Sequence, residues 1–389
     1  MASRLSLTLS LAILLGFPGL SPGIETEHSL TVDSSKWVIS SGRVATLPAG
    51  SMLALALALE RGAEAVWLDL VLSKDDKLIL LPDTRIDQLT DIQEIYPDRA
   101  RPDGSYHSFD FTLEELRPVS LKPEASSESI SLPLSRSHLP ITTLEDFFGY
   151  LDLVVDDLAT RPTLICTLKQ GWRHQLEEKD LGAAVLKRLE NYQLTNGAAK
   201  LIIASYDPEE LQGLATTAGS GPMGRIGFLQ LIGANDGTEV QRLEFGVYQP
   251  YSYDLLFTRF GLKSLSSYAD TIGLDLGAAV AQSGTLSQPR FLADAHTLGL
   301  RVVCLRVDST AHHYLADDSS APESMFEHLL FTIGFDGIVT DADRLARSWL
   351  KNRAPARTTE QSSIIERLID RVEDTGSEPP APAHSDETR

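Results

Sequence analysis

Residues Gly62–Asp83 read GAEAVWLDLVLSKDDKLILLPD. Gly62 has the character of a helix stop. Ala65-Val66-Trp67-Leu68-Asp69-Leu70 is almost continuously apolar, the composition of a strand buried on both faces. Ser73-Lys74-Asp75-Asp76-Lys77 is a polar turn, and Leu78–Leu81 a second short strand. Pro82 has no backbone N–H to give a ladder and ends the pairing. Asp69 is the exception within the run. A carboxylate on a buried strand is costly unless it is paired, hydrogen-bonded or bound to a metal.

The same grammar repeats outward from this hairpin. Upstream, Trp37–Ser40 reads as a first strand, and Ser51 is placed to cap an apolar helix running to Arg61. Downstream, strands are predicted at Thr163–Leu168, Leu201–Ala204, Ile226–Ile232, Thr271–Leu274, Val302–Val307 and Gly337–Asp341. Helical stretches lie between them, such as the one after Asp180 with Leu181, Val185, Leu189 and Tyr192 on one face. Strands alternating with helices imply parallel pairing and right-handed crossovers. About eight strands fit an α/β fold of the closed (β/α)8 TIM-barrel type. A loop-rich insertion, Asp87–Leu116, follows the second strand, with Thr112 and Glu115 spaced as a capping box.

The chain has 389 residues, 42% of them apolar, enough for one large domain. Its formal charge of −20 leaves no electrostatic footprint for a nucleic-acid backbone or an anionic membrane. Residues 1–23 read as a signal peptide, with Arg4 before an apolar core and Ser21-Pro22-Gly23 at its end. That core is too short for a membrane span, and no stable span is expected after signal removal. A secreted or periplasmic protein is expected, with retention of the leader as an anchor the alternative. Cys166 and Cys304 lie far apart in apolar runs and read as buried thiols. Residues 37–350 form the expected barrel, and 351–389 a tail. Within the tail, 363–373 is a short amphipathic helix that could dock on the barrel or on a protein partner.

Several stretches resemble the glycerophosphodiester phosphodiesterase family, above all its exported bacterial branch. The turn Ser73-Lys74-Asp75-Asp76 is close to the family's Thr-Lys-Asp-Gly. The insertion carries Pro97-Asp98-Arg99-Ala100-Arg101, Asp103-Gly104 and Asp110-Phe111-Thr112-Leu113 in the family's order. Thr143-Leu144-Glu145, Tyr268-Ala269-Asp270 and Gly337-Ile338-Val339-Thr340-Asp341 extend the likeness to the end of the barrel.

The resemblance implies a site of two acid–base histidines, a divalent cation on three carboxylates, and an Arg and a Lys on phosphate. Position by position, the chemistry departs from that pattern. The family histidines fall on Ser41 and Pro82. The carboxylate pair of the second strand becomes Trp67 and Asp69, and the Glu-x-Lys of the third becomes Thr167-Leu168-Lys169. Asp69 alone remains as a metal position. Arg43, Trp67, Lys169, Trp172 and His174 are the candidates for substrate contact. Trp67-Leu68-Asp69 and Pro82-Asp83 also resemble degenerate repeats of plant phosphodiesterase-like wall proteins.

Losing one acid–base group typically costs about 10²–10⁴ in rate. Losing both, with the cation cradle, predicts a catalytically inactive family member. It would bind a small phosphate- or polyol-bearing ligand and need no cofactor. Two alternatives stay open. One is an active, Ca²⁺- or Mg²⁺-dependent phosphodiesterase with rearranged groups, recruiting His174 or His107. The other is a non-catalytic interaction protein.

Overall fold

A computed structural model describes residues 36–43, 47–122, 138–158, 161–196, 200–218, 226–281, 284–308 and 322–353. The expected leader at 1–23 and the tail helix at 363–373 lie outside these residues, as do His312 and His313.

In chain order the strands are β1 Trp37–Ser40, β2 Ala65–Leu72, β3 Leu78–Leu80, β4 Thr163–Leu168, β5 Leu201–Ser205 and β6 Ile226–Ile232. They continue with β7 Gln241–Glu244, β8 Val247–Pro250, β9 Thr271–Asp275, β10 Arg301–Leu305 and β11 Gly337–Thr340. Eight of them, β1, β2, β4, β5, β6, β9, β10 and β11, pair in parallel in that order. The ring closes where β1 meets both β11, with Trp37 opposite Gly337, and β2, with Ser40 opposite Val66. This is the expected (β/α)8 barrel. β3 adds to β2 in antiparallel register, Leu70 opposite Leu80, as the turn at residues 73–77 predicts.

Strand alternation sorts the apolar residues. Val66, Leu68 and Leu70 of β2, with Leu164, Cys166 and Leu168 of β4, pack against Leu55, Phe147 and Phe148 of the surrounding helices. Their neighbours Ala65 and Ile165 belong to a second cluster with Ile39, Ile202 and Leu229. A period of two along each strand therefore separates the two cores. Both cysteines are free and buried, as read from their apolar surroundings. Burial pushes the Cys166 thiol up to about 12.

Helix starts follow their capping chemistry. Ser51 accepts from the Ala54 N–H at the head of the helix Met52–Glu60. Thr112 and Glu115 form the expected capping box. The insertion has more structure than a solvated loop. Arg101–Asp110 (2.6 Å) and Arg99–Glu115 (3.0 Å) pair at its surface. Beneath them Ile86, Ile92, Tyr106, Phe111 and Leu116 bury a small core against Val71 and Ile79. Apolar residues spaced irregularly through a polar sequence hid that core from periodicity.

Among the described residues, no helix is long and apolar enough to cross a membrane. The sequence reading also missed the hairpin β7–β8. Its residues are largely exposed, so no buried face imposes a pattern.

Candidate functional site

Barrel strands end at one rim, and their C-terminal ends surround a cavity of about 450 Å³. Ser41 follows β1, Lys169 follows β4, Tyr206 follows β5, Asp275 ends β9 and Arg306 follows β10. This is where the fold places chemistry, because each strand delivers one loop there. Seven sequence-selected residues converge on the wall: Ser41, Arg43, Trp67, Asp69, Pro82, Thr167 and Lys169.

Trp67 and Asp69 are two positions apart on β2, so their side chains leave the same face. The Trp67 indole Nε1–H donates to Asp69 Oδ1 at 3.0 Å. Thr167, opposite Asp69 across the β2–β4 pairing, is buried with no partner for its Oγ1. Ser41 Oγ is likewise buried and unpartnered.

Lys169 is 8% exposed, and its ammonium is ion-paired with Glu239. Burial alone would lower its pKa, but Glu239, Asp69 and Asp83 hold it above the ordinary lysine value. Glu239 lies on the loop between β6 and β7, while Asp69 is engaged by Trp67. Across the wall, Arg306 pairs with Asp275, whose other oxygen takes the Tyr206 hydroxyl at 3.0 Å. Asp83 stays close by, accepting from Gln170 Nε2 at 3.2 Å.

Two expected contact residues lie elsewhere. Trp172 is not on the cavity wall; its indole N–H donates to the Thr238 carbonyl at 3.0 Å and fixes the loop that carries Glu239. His174 is fully buried, not in a loop but in the helix Gly171–Leu176. Its Nε2 accepts the Leu72 N–H at 3.0 Å and its Nδ1 faces the Gln170 carbonyl at 3.3 Å. Both ring nitrogens are therefore committed to backbone, and burial lowers its pKa to about 4. His107 is also buried, stacked on Phe109 and bonded to Ser105 Oγ. Burial holds its pKa below the ordinary histidine value. Recruitment of His174 or His107 as a replacement acid or base is thus corrected: neither reaches the cavity. Among the described residues no histidine lines it.

The sequence profile of the Glycerophosphoryl diester phosphodiesterase family matches residues 42–343. The chain belongs to that family. The glycerophosphodiester phosphodiesterase of Haemophilus influenzae is 26% identical over 278 residues, covering 68% of this chain and 76% of the relative. That of Treponema pallidum is 26% identical over 243 residues, covering 60% and 68%. A crystal structure from Silicibacter pomeroyi, assigned as a glycerophosphoryl diester phosphodiesterase, superposes with a TM-score of 0.56. It shares 18% identity and covers 81% of this chain and 93% of its own, which shows a common fold.

The family resemblance implies a divalent cation, and the wall does not fit one. Calcium and magnesium require several oxygen ligands. Of the three acidic positions only Asp69 keeps a carboxylate, and Trp67 points an N–H donor into it. Among the described residues no three acidic, histidine or cysteine side chains are grouped to hold a metal.

Glu239, Asp275, Arg306 and Tyr206 were not singled out from sequence. Asp275 and Tyr206 carried a usable signal: polar or aromatic groups at the C-terminal edge of an apolar barrel strand. Glu239 carried none, since it sits in a loop 70 residues from its partner.

Proposed function

We propose that this family member has lost phosphodiester hydrolysis and works as a binding protein outside the cytoplasm, taking a small phosphate- or polyol-bearing ligand in the barrel mouth without a cofactor. The supporting observation is the Trp67–Asp69 hydrogen bond. Hydrolysis needs proton transfer at the attacking and leaving oxygens and neutralisation of the phosphoryl charge. Ser41 and Pro82 supply no base near neutral pH, and Trp67 puts an indole beside Asp69 where a second cation-binding carboxylate would stand. The cavity, meanwhile, keeps the volume, aromatic walls and convergent polar groups of a ligand site. Export is supported by the composition of residues 1–23.

A second reading, an active enzyme with rearranged groups, rests on His312 and His313. They follow the wall residue Asp308 closely in the chain.

Thermal unfolding of the full chain tests the first reading. Glycerophosphocholine or myo-inositol at millimolar concentration should raise the melting temperature, since a ligand bound only by the folded state stabilises it. The rise should vanish in Trp67→Ala. No rise with either compound contradicts the binding reading. Release of glycerol phosphate that is lost in His312→Ala or His313→Ala supports the second.

A further inference from the structure

Of the three cations on the cavity wall, Arg43, Lys169 and Arg306, the last two are answered by the protein's own carboxylates. Lys169, the family's phosphate-facing lysine, is paired with Glu239, and Arg306 is paired with Asp275. Glu239 occupies the place at Lys169 that an anionic ligand would take. A phosphate group entering here must displace the partly exposed Glu239 carboxylate from a buried ammonium, which breaks an ion pair. It must also approach Asp69 and Asp275 on the same wall. Like charges brought together in a partly buried site repel.

What the wall lacks is hydrogen-bond partners. Ser41 Oγ, Thr167 Oγ1 and Glu239 Oε2 are buried and have none. Buried polar groups are costly when unpaired. A hydroxyl group both donates and accepts, so a polyol that enters as Ser41, Thr167 and Glu239 turn toward the cavity would pair all three atoms without adding charge. Trp67 and Tyr206 add aromatic surface to the wall, against which the C–H surface of a cyclic polyol can pack. The 450 Å³ volume falls in the lower part of the range of about 300–1,000 Å³ that small-ligand sites occupy.

Building on the binding reading above, we infer that the ligand is an uncharged polyol or sugar, and that Glu239 is the specificity-determining residue that excludes phosphate. The barrel mouth has exchanged an anion site for a hydroxyl site by filling it with an internal carboxylate. Trp172 supports the exchange by holding the Thr238 carbonyl, next to Glu239 in the chain.

Isothermal titration of the full chain with myo-inositol, glucose, inorganic phosphate, glycerol 3-phosphate and ethanolamine tests this. Myo-inositol or glucose should bind at least tenfold more tightly than either phosphate or the amine, with an affinity insensitive to added sodium chloride. Glu239→Gln should weaken the polyol and strengthen both phosphates by tenfold or more. The wild-type ranking is decisive even if that variant fails to fold. Phosphate or glycerol 3-phosphate binding as tightly as the polyol overturns the inference while leaving the binding reading intact. So does tighter binding of ethanolamine. Binding of none of the five removes both.

Discussion

The Trp67 indole N–H points at the Asp69 carboxylate from 3.0 Å, two residues away on the same face of β2. A metal ligand must offer lone pairs to the ion. One of the two Asp69 oxygens takes a proton donor, whose ring stands where a neighbouring acid would be. Restoring acids on either side of Asp69 should therefore restore a cation site. Trp67→Glu combined with Thr167→Glu is expected to gain a rise in melting temperature with millimolar calcium, and the wild type none. A calcium shift of equal size in the wild type would contradict this reading.

His174 is a structural acceptor. Its neutral ring takes the Leu72 N–H, and burial lowers its pKa from 6.5 to about 4. A depressed folded-state value means the folded protein resists protonation more than the unfolded chain. The stabilisation is complete above pH 6.5 and is lost as the pH falls toward 4. His174→Leu should lower stability by about 1–3 kcal/mol, the cost of an orphaned buried N–H. It should also remove that part of the acid dependence. Urea unfolding at several pH values reads both effects.

Glu210 has the opposite sign. Burial raises its carboxyl from 4.5 to about 7, although Ser205 Oγ donates to it at 2.8 Å. The folded state therefore holds this proton more tightly than the unfolded chain. The favourable contribution is full below pH 4.5 and disappears as the pH rises through about 7. Glu210→Gln should stabilise the protein above pH 7 and flatten its stability profile between pH 4.5 and 7. Melting curves across that window distinguish it from His174→Leu, whose effect grows in the same interval with the other sign.

Gly42 connects β1 to the cavity rim. It has φ of +69°, and a Cβ there would lie 2.8 Å from the Trp67 carbonyl oxygen. Gly42→Ala combines left-handed strain with a clash against backbone, so it should destabilise by about 1–3 kcal/mol. Because Ser41 and Arg43 flank it, the same variant should weaken polyol binding. Unchanged stability and affinity would remove Gly42 from the account.

The barrel was legible because its signals are local. Apolar runs gave β1, β4 and β6 their observed limits, and Thr112 with Glu115 announced a capping box. Half of the site was legible for the same reason, since Ser41 and Lys169 lie just beyond β1 and β4, and Trp67 and Asp69 lie within the apolar run of β2. The rest depends on contacts that cross the molecule. Nothing near Glu239 in the chain signals Lys169, and nothing near His174 signals the Leu72 N–H. The helix Gly171–Leu176 turns His174 inward because its register is set by packing against the insertion, where Phe109 meets the ring edge at 5.5 Å. That orientation depends on tertiary contacts and leaves no local pattern.

The central claim is that the barrel mouth no longer performs the family's hydrolysis. Its most direct test is glycerol phosphate release from glycerophosphocholine by the purified full chain, with calcium or magnesium present and with chelator. The account predicts release no greater than in protein-free buffer under every condition. Metal-dependent release that disappears in Asp69→Ala would contradict it.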